Sequence, residues 1–432
     1  MTNNQLTEMR AISSRNSANS NSAGFKQTEI GLIPDDWEVY SVAQAFEVCN
    51  NLRFPLSAKT RESMSGEYPY YGPTKVQDYL NEYRVEGEYA LIGEDGDHFL
   101  KFDVMSQTQY VSGKFNVNNH AHLIKGKLAS AKWFFWFFRN RDISIYLSRQ
   151  GAGRFKLNKA SLMTMLLAVP STNEQTAITN ALSDVDALIQ ELEKLIAKKQ
   201  AIKTATMQQL LTGRTRLPQF AYRADGSKKG YKQSALGEIP EDWEVLSLGT
   251  ASSFINGRAY ALYEWETNGT PVIRLQNLTG RGEDYYYSNM QLPEKQYCED
   301  GDLLFMWSAT FGPVIWRGPK AIYHYHIWKI ICNQEFSRVY MFFLLDDMTE
   351  KLKSGSSSGG TMLHVTKGKM ETTKAVFPLS EEQNAIANIL SDMDDEIQVL
   401  EQRLSKTRQI KQGMMQELLT GKTRLIQRSE AT

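Results

Sequence analysis

The chain contains the same frame twice, and this internal repeat constrains its fold more than any other feature. Residues 31–39 (GLIPDDWEV) recur as residues 237–245 (GEIPEDWEV), and residues 174–217 recur as residues 382–425 with 25 identities over 44 ungapped positions. The centres of the two copies, about 115 residues each, have almost no similarity. If the two copies had diverged evenly after a duplication, their ends would not have stayed similar while their centres became unrelated. We therefore expect two pseudo-symmetric halves that present different surfaces.

The repeated C-terminal segments have the apolar spacing of long coiled-coil helices. Each is expected to be about 39 residues and about 58 Å long, at about 1.5 Å per residue. Pseudo-symmetry predicts that the two pack antiparallel; an ordinary helical hairpin is less apt because they lie about 208 residues apart. The pattern lapses at Lys199 and Thr407, and we expect it to resume at Ile202 and Ile410. The predicted seam consists of Ile178, Leu182, Val185, Ile189, Leu192, Ile196, Ile386, Leu390, Met393, Ile397, Leu400 and Leu404.

The two variable centres predict a mixture of short strands and helices. Aromatic and β-branched runs bounded by Gly and Asn predict strands at residues 88–93, 110–117 and 301–307. Residues 131–140 and 338–346 predict helices whose aromatic side chains pack in the core rather than stack on bases. The fold class is therefore α+β, with two pseudo-symmetric domains separated by two long helices that form an antiparallel coiled coil.

The repeat and the composition together predict the boundaries of the domains. The predicted segments are a disordered N-terminal extension (1–27), a first variable domain (28–170), a central helix (171–217), a linker (218–233), a second variable domain (234–378), a distal helix (379–425) and a tail (426–432).

The charge of the chain is zero on average but polarised within each copy. The 49 basic and 49 acidic residues argue at first against a nucleic-acid partner. However, residues 28–103 hold 15 acids and 6 bases, whereas residues 104–170 hold 1 acid and 10 bases. The second copy repeats this polarity, with 12 acids and 4 bases in residues 234–302 and 5 acids and 9 bases in residues 303–378. A neutral chain can therefore present two basic faces.

The basic part of each copy also contains a Gly-rich segment just before the repeated helix. Residues 148–158 (SRQGAGRFKLN) and 354–364 (SGSSSGGTMLH) could bring backbone N–H groups to phosphates, while Arg, Gln and Asn side chains could reach base edges. Most Gly/Ser loops are only loops, and it is their repeated position that favours binding. The candidate DNA-binding residues are Gln107, Gln109, Lys114, Asn118, Asn119, Arg149, Gln150, Arg154, Lys156, Asn158, Arg258, Arg274, Gln276, Asn277, Trp307, Ser308, Ser356, His364, Lys367 and Lys369.

The sequence lacks convincing catalytic or metal-binding motifs. Residues 420–423 (TGKT) resemble the end of a P-loop, but Gln416 stands where that motif needs glycine. His120 and His122 could share a strand face and bind a metal, as could residues 324 and 326, but no second His or Cys cluster accompanies either pair. Packed or hydrogen-bonded histidines are therefore favoured, and we predict no catalytic residue and no metal site.

Cysteine usage and hydropathy predict a cytoplasmic chain. Cys49, Cys298 and Cys332 are too few and too widely spaced for a disulfide framework. The N-terminus lacks the apolar core of a signal peptide. The densest apolar run, residues 133–138, is far shorter than the about 20 residues that a bilayer span needs, so we expect no membrane partner.

These motifs together resemble the specificity subunit of type I restriction-modification enzymes over nearly all of residues 28–425. The resemblance lies in the doubled Gly-x-Ile-Pro-x-Asp-Trp-Glu, in LIGEDG (91–96) and VNNHAH (117–122), in GDLLFMWSATFG (301–312), and in the Leu-Leu-Thr-Gly-x-Thr-Arg-Leu that ends both helices. The long N-terminal extension and the serine-rich residues 354–360 depart from the family pattern.

The resemblance implies a DNA-binding subunit that is not catalytic by itself. In this family, two target-recognition domains each read one half of a bipartite, asymmetric double-stranded DNA site. The coiled coil sets the spacer and docks two modification (methyltransferase) subunits. The resemblance implies no cofactor on this chain; the complex would use S-adenosylmethionine in its modification subunits to methylate adenine. Restriction subunits would add ATP- and Mg²⁺-dependent translocation and cleavage.

Two other functions remain open from the sequence. The chain could be a two-headed protein-binding scaffold built on a coiled coil, or an enzyme that uses the His-x-His pairs with a metal. Steeply salt-dependent, sequence-specific DNA retention would separate DNA binding from a protein scaffold, since counterion release is specific to nucleic acid. Metal analysis of the purified protein would test the enzyme.

Overall fold

The computed structural model describes residues 24–150, 154–282, 284–308, 310–354 and 365–425, which form two compact units. Unit 1 comprises Met1–Leu192 with Arg403–Thr432, and unit 2 comprises Glu193–Gln402. Each unit contains one variable domain, one end of the first long helix and one end of the second. No helix within the described ranges combines the length and hydropathy needed to cross a bilayer.

Unit 1 is built from twelve strands and four short helices in its described part, besides its share of the long helices. The strands are β1 (Phe25–Thr28), β2 (Gly31–Pro34), β3 (Glu38–Ser41), β4 (Phe46–Val48), β5 (Ser65–Tyr71), β6 (Val76–Leu80), β7 (Val85–Gly93), β8 (Thr108–Val117), β9 (Ala121–Gly126), β10 (Ser148–Gln150), β11 (Arg154–Lys156) and β12 (Leu166–Val169). The helices are α1 (Val42–Ala45), α2 (Ala58–Ser63), α3 (Ala131–Phe138) and α4 (Lys159–Thr164).

A six-stranded sheet organises unit 1, with strand order β4-β9-β7-β8-β5-β6. Neighbours are antiparallel except β5 and β8, which are parallel. Strand β3 pairs instead with β12, so the start and the end of the domain meet just before the long helix. Trp133, Phe134 and Trp136 of α3 are buried in the core, which confirms that these aromatic side chains pack inside the domain.

Unit 2 repeats the frame around a different centre. Its strands are β13 (Tyr231–Ser234), β14 (Gly237–Pro240), β15 (Glu244–Ser247), β16 (Ser252–Asn256), β17 (Thr270–Ile273), β18 (Tyr286–Ser288), β19 (Tyr297–Cys298), β20 (Leu303–Ser308), β21 (Thr310–Ile315), β22 (Ala321–Tyr323), β23 (Ile327–Cys332) and β24 (Lys374–Phe377). The central strands form two four-stranded sheets, β16-β23-β20-β21 and β18-β17-β22-β19, while β15 pairs with β24 as β3 pairs with β12.

The helices of the chain complete both units. Between the first domain and β13 runs α5 (Thr172–Leu211); unit 2 adds α6 (Leu248–Ala251), α7 (Leu275–Leu278), α8 (Arg338–Ser354) and α9 (Lys367–Thr372), and α10 (Ser380–Leu418) follows β24. The predicted strands at residues 88–93, 110–117 and 301–307 fall in β7, β8 and β20, and the predicted buried helices are α3 and α8. The mixed fold expected from the sequence is confirmed.

The two long helices run antiparallel within each unit. In unit 1 the end of α10 lies beside the start of α5, where Lys411 forms an ion pair with Asp186. In unit 2 the end of α5 lies beside the start of α10, where Lys203 Nζ lies 2.5 Å from Asp394 Oδ1. The predicted seam residues are all buried or half-buried, which follows from their heptad spacing.

The seam does not lapse where the sequence analysis placed a break. After Ile196 it continues in steps of three and four through Lys199, Lys203 and Met207. Ile202, expected to resume it, keeps 42% of its surface exposed. The prediction was wrong because polar residues occupy the seam: Lys199 Nζ lies 2.7 Å from Glu396 Oε1, as an ion pair across the two helices. In α10, likewise, Thr407 is buried and Ile410 is 48% exposed.

A buried glutamate joins each domain to the helix pair. In unit 1 Glu174, in the first turn of α5, is 2% exposed and accepts a 3.0 Å hydrogen bond from Trp37 Nε1. Arg424, just beyond α10, donates to both Glu174 oxygens at 2.5 and 2.8 Å and to both oxygens of Asp36. The same geometry recurs in unit 2, where Glu382 takes the place of Glu174. The members of that copy are Trp243, Arg216 and Asp242.

The repeated Thr-Gly that resembled a P-loop end has a structural role at this joint. Gly421 and Gly213 both adopt positive φ, +71° and +69°, just after the long helices. A Cβ on Gly421 would lie 2.3 Å from Pro34 Cγ, and one on Gly213 would lie 2.5 Å from Pro240 Cδ. Glycine is therefore required both by its backbone conformation and by close packing against the last residue of β2 or of β14.

Two predicted segment boundaries differ from the structure. Strand β1 falls at the end of the segment expected to be disordered, because it pairs with β2 in a hairpin; residues 1–23 lie outside the described residues. The predicted linker 218–233 contains a 3-10 turn at Pro218–Phe220 and the start of β13. The other predicted boundaries stay predictions.

Candidate nucleic-acid interface

In unit 1, the segment after β7 and the loop between β8 and β9 lie beside the hairpin formed by β10 and β11. The Lys156 backbone forms a bridge with Asp95, and Leu157 N donates to Glu94 O. Glu94 N in turn donates to the carbonyl of His120, in the loop between β8 and β9. These contacts place the basic hairpin beside the β8–β9 loop and form one surface, which we call the hairpin face.

The hairpin face carries exposed cations beside a neutralised centre. Arg149 and Arg154 are both exposed, and the Arg149 guanidinium lies 5.1 Å from the centre of the Phe155 ring. Glu94, in contrast, pairs with Arg53 at 2.6 Å and with Lys156 at 3.4 Å. The exposed arginines are therefore the groups of this face best placed to reach a phosphate or a guanine edge.

The Glu94 ion pairs hold the hairpin face together over a wide pH range. Burial opposes ionisation of Glu94, but the hydrogen bonds from Arg53 and Lys156 outweigh it, and the pKa of the carboxyl lies below its usual value. Burial lowers the pKa of His122, so this ring is neutral near pH 7. It bonds Asn50 at 2.9 Å and the Leu157 carbonyl at 2.7 Å, which makes it a structural histidine.

Several predicted residues of unit 1 serve the domain itself. Gln107 is fully buried and donates to the Arg141 carbonyl, and Gln109 donates to the Gly72 carbonyl. Asn118 is 4% exposed, bonds Gln77 and accepts from His120 N. Asn158 caps α4 by accepting from Ser161 N. We assign these four side chains to the domain itself and not to DNA contact, because their hydrogen bonds lie inside the domain.

The remaining predicted residues of unit 1 lie on its surface. Asn119 is exposed in the β8–β9 loop, and its carbonyl accepts from Arg53. Lys114 is exposed on β8 with its ammonium 4.7 Å from the Tyr83 ring centre. Only the backbone of Gln150, in β10, is described. Arg149, Arg154, Lys156 and Asn119 are thus brought together, and Lys114 belongs to a different part of the domain.

Unit 2 presents a different surface, made of stacked aromatic rings with two arginines. Trp265 lies 4.5 Å from Tyr286 and 6.3 Å from His324, measured between ring centres. The Arg274 guanidinium lies over the Tyr286 ring at 5.0 Å. Arg258 joins the group through its backbone bridge to His324. We call these residues, with Tyr260 and Trp307, the aromatic face.

The polar groups of the aromatic face are suited to hydrogen bonding with neutral partners. Burial lowers the pKa of His324 to about 4, helped by His326 and Arg274, so the ring is neutral at pH 7. A neutral imidazole offers one donor and one acceptor, as a base edge does. Arg258 Nη2 bonds Glu264 at 2.5 Å, while Arg258 Nη1 and the Tyr260 hydroxyl are buried without a partner among the described residues.

Some of the candidate DNA-binding residues of unit 2 belong to the aromatic face, and the others lie elsewhere in the unit. Arg258, Arg274 and Trp307 belong to the aromatic face; Trp307 Nε1 donates to the Tyr325 carbonyl at 2.9 Å. Gln276 and Asn277 lie beside it on α7, where Asn277 bonds the carbonyls of Gly282 and Asp284. Ser308 is buried at the end of β20, and Lys367 and Lys369 lie on α9. Ser356 and His364 lie outside the described residues.

Several residues of the two faces were not predicted from the sequence. Arg53 was not singled out, although it holds the centre of the hairpin face. Tyr260, Trp265 and Tyr286 were not recognised, because isolated aromatic residues in a strand-rich region usually indicate core. His324 and His326 were considered as metal ligands or as packed histidines, and not as part of a DNA-binding surface. Among the described residues, no group of three or more His, Cys, Asp or Glu side chains is arranged to hold a metal ion.

Comparison with known proteins gives a consistent family. The profile described as type I restriction modification DNA specificity domain matches residues 34–204 and again residues 240–409. A Methanocaldococcus jannaschii protein, provisionally named as the MjaX type I restriction enzyme specificity subunit, is 28% identical over 429 residues, covering 93% of this chain and 97% of its own. The MjaVIII specificity subunit of the same organism is 24% identical over 426 residues, covering 93% and 96%.

A solved structure shares the fold. The S subunit of a type I restriction-modification system from M. genitalium superposes with a TM-score of 0.61 at 13% identity, covering 93% of this chain and 98% of that one. Because the match covers 93% of this chain, the shared fold includes both units.

Proposed function

This chain belongs to the family of type I restriction-modification DNA specificity proteins, and from this premise we propose how its two units divide the recognition of DNA. Unit 1 reads one half of a bipartite, asymmetric double-stranded site, and unit 2 reads the other half. The antiparallel helix pair sets the spacer between the half-sites. The chain supplies recognition and leaves the chemistry to its partners.

The observation that carries this proposal is one frame around two unlike centres. Both units keep the hairpin, the β3–β12 type pairing and the Trp–Glu–Arg joint, yet one centre is a single six-stranded sheet and the other is two four-stranded sheets. The shared frame supports binding of both units to the same kind of partner subunit in the same way. Unlike centres support two different DNA sequences, since base readout depends on the side chains presented in the grooves.

The two faces support different modes of contact with DNA. On the hairpin face, exposed Arg149 and Arg154 can bind phosphates or guanine edges. On the aromatic face, Arg274 and neutral His324 provide donors and an acceptor next to stacked rings. Each face lies in its own unit, so we expect a change on one face to alter only one half-site.

The repeated helices supply the docking surface for the partners. We assign two modification (methyltransferase) subunits to this chain, one for each copy of the frame, with restriction subunits joining the complex. S-adenosylmethionine would then bind the modification subunits, and ATP with Mg²⁺ the restriction subunits. Adenine methylation, and cleavage where restriction subunits are active, would belong to the complex and not to this chain.

Mapping of methylated adenines tests the proposed function directly. The chain is co-expressed with its modification subunit in a host that lacks other methyltransferases, and the genome is sequenced for N6-methyladenine. We expect one bipartite motif with two different halves and a fixed spacer. A continuous motif would contradict the proposal. So would the absence of any motif when the chain co-purifies with the modification subunit. In a binding assay, we expect steeply salt-dependent retention of the chain on DNA that carries the mapped site.

A further inference from the structure

Unit 2 contains a cavity of about 470 Å³ where α8 meets the helix pair. Its polar lining includes Asp346 of α8, Lys203 of α5, and Asp394 and Glu401 of α10. The lining is thus richer in acids than in bases. Glu401 is exposed and Asp394 retains 39% side-chain exposure, so a group from outside can approach these two acids.

The equivalent position in unit 1 shows which group fits such a place. The two copies can be aligned there because Trp133 Nε1 donates to the Ala168 carbonyl just as the Tyr340 hydroxyl donates to the Val376 carbonyl. Counting six residues along each helix from Trp133 and from Tyr340 leads to Arg139 in unit 1 and to Asp346 in unit 2.

In unit 1 this arginine completes a charge cluster. Arg139 Nη1 donates to Asp186 Oδ2 at 2.7 Å, while Lys411 pairs with the other oxygen, Oδ1. The Lys411 ammonium lies 5.4 Å from the Trp136 ring centre. One aspartate is therefore held by two cations of the chain itself, one from the domain and one from α10.

In unit 2 the same aspartate and lysine are present but the arginine is replaced by an acid. Lys203 Nζ donates to Asp394 Oδ1 at 2.5 Å and lies 5.3 Å from the Phe343 ring centre, as in unit 1. Within the described part of the chain, no donor reaches Asp394 Oδ2, the oxygen equivalent to the one that Arg139 binds. Unit 2 thus has the acid Asp346 at the position where unit 1 has Arg139.

We propose that this cavity is a docking pocket for an arginine side chain presented by the subunit that assembles on the helix pair. The inference rests on the proposed function, which assigns the modification subunit as that partner. A planar guanidinium bonds carboxylates through two parallel N–H groups, so it can engage Asp394 Oδ2 and a second acid together. Buried Met207 and Ile397 can pack against the aliphatic stem.

Two other occupants fit the cavity less well. A DNA phosphate would meet three acids and one lysine, and like charges in close contact are repulsive. A metal ion would need three or more suitable ligands in mutual reach, and the described residues contain no such group. An organic cation on a protein partner fits both the charge and the size of the cavity. Because unit 1 has Arg139 at the equivalent position, the two docking surfaces of the chain are then unequal.

The test compares how strongly the modification subunit binds to three forms of the full chain. Asp346→Arg gives unit 2 the arginine that unit 1 has, and Asp346→Asn removes only the charge. Asp395→Arg, an exposed change on α10 outside the cavity lining, is the matched control for net charge. Calorimetric titration without DNA measures affinity and stoichiometry, and circular dichroism confirms that each variant is folded.

We expect Asp346→Arg to weaken one of the two binding events about tenfold or more, because it fills the pocket and repels the incoming cation. Asp346→Asn should weaken the same event less, and Asp395→Arg should match the wild type. Replacing the responsible arginine of the modification subunit by glutamate should restore binding to the Asp346→Arg chain.

The outcomes separate the pocket from the proposed function. If wild type and all variants bind two modification subunits with equal affinity, the pocket inference is overturned and the proposed function stands. If the wild-type chain binds no modification subunit, the proposed function fails, and the inference fails with it.

Discussion

Arg154 gives the sharpest residue-level test of the hairpin face. It is exposed on β11, next to a Glu94 cluster that holds the surrounding loops in place. We expect Arg154→Ala to weaken binding to the cognate site by about 1–3 kcal/mol if the guanidinium reads a base. Measured by fluorescence anisotropy, the loss should disappear on DNA whose first half-site is scrambled and persist on DNA whose second half-site is scrambled.

Lys59→Ala is the control for that experiment, because Lys59 is an exposed cation on α2 outside the hairpin face. It should leave the affinity for both DNAs within experimental error of the wild type. Equal losses for Arg154→Ala on both scrambled DNAs would show that the residue contributes only general electrostatic attraction.

His324 makes the stability of unit 2 depend on pH. Burial lowers its pKa from the ordinary 6.5 to about 4, so below pH 6.5 the unfolded chain takes up a proton that the folded chain resists. The stabilising contribution is therefore present above pH 6.5 and is lost as the pH falls towards 4. After allowing for solvent screening of this half-buried ring, we expect the loss to be about 1 kcal/mol.

The measurement is the free energy of unfolding in urea at pH 7 and at pH 4.5. His324→Gln keeps a polar side chain of similar size but cannot titrate, so its stability should fall less between the two pH values. Identical falls for variant and wild type would mean that His324 does not carry a lowered pKa in the folded protein.

At the residue scale, the sequence could predict the chemistry of the candidate site but not its geometry. Arg149 and Arg154 were predicted from a basic Gly-rich segment and lie exposed on one face. Gln107 and Asn118 have the same hydrogen-bonding groups, but they are buried and bond within the domain. Only the three-dimensional position decides whether an amide completes a buried network or faces solvent.

At the scale of elements, we expect the Trp–Glu–Arg joint to be highly sensitive to substitution. Glu382 is 2% exposed and receives hydrogen bonds from Trp243 and from two nitrogens of Arg216. Glu382→Gln leaves the guanidinium facing a neutral amide, and we expect a loss of about 3 kcal/mol in the free energy of unfolding. Urea unfolding followed by tryptophan fluorescence measures it.

Two further variants serve as comparisons for Glu382→Gln. Glu174→Gln makes the same change in unit 1 and should cost a similar amount, since the contacts are the same. Glu381→Gln changes the exposed neighbour and should cost less than about 0.5 kcal/mol. A Glu382→Gln chain as stable as the Glu381→Gln chain would mean that the buried ion pair does not contribute to stability.

The helices were more predictable than the sheets for a physical reason. Helix spacing is local, so the seam from Ile178 to Ile196 can be read from residues three and four apart. The exception is at Lys199, where an ion pair with Glu396 keeps a lysine in the seam although hydropathy alone indicated a break. Sheet order depends on contacts distant in sequence, so the parallel pairing of β5 with β8 could not be predicted.

At the scale of the whole molecule, we expect the length of the helix pair to set the length of the spacer between the half-sites. Seven residues inserted after Ala197 in α5 and seven after Val399 in α10 would preserve the heptad register of the seam. This adds about 10 Å of helix at about 1.5 Å per residue, equivalent to about three base pairs of DNA. Methylome sequencing should show a spacer longer by about that amount with both half-sites unchanged.

An insertion of seven residues in α5 alone is the comparison for this experiment. It leaves one helix without a matching length of partner, so the complex should methylate poorly or lose its fixed spacer. An unchanged spacer in the double insertion would show that the helix pair does not determine the distance between half-sites.

The neutral composition is explained at this scale. Charges of both signs are separated along each copy, so the net charge hides a basic part in each domain. The duplication was visible in the sequence because many residues of the joint and of the helices recur in both copies. The difference between one six-stranded sheet and two four-stranded sheets was not, because unrelated centres share no pattern to compare.

The most direct test of the central claim exchanges one centre for the other. Residues 248–373 are replaced by residues 42–165, and the joints are equivalent because Val42 N donates to Met165 O as Leu248 N donates to Thr373 O. The chimera, co-expressed with the modification subunit, is examined by methylome sequencing. We predict a site that contains the first half-site twice with the original spacer; a motif that keeps the original second half-site would contradict the assignment of one half-site to each unit.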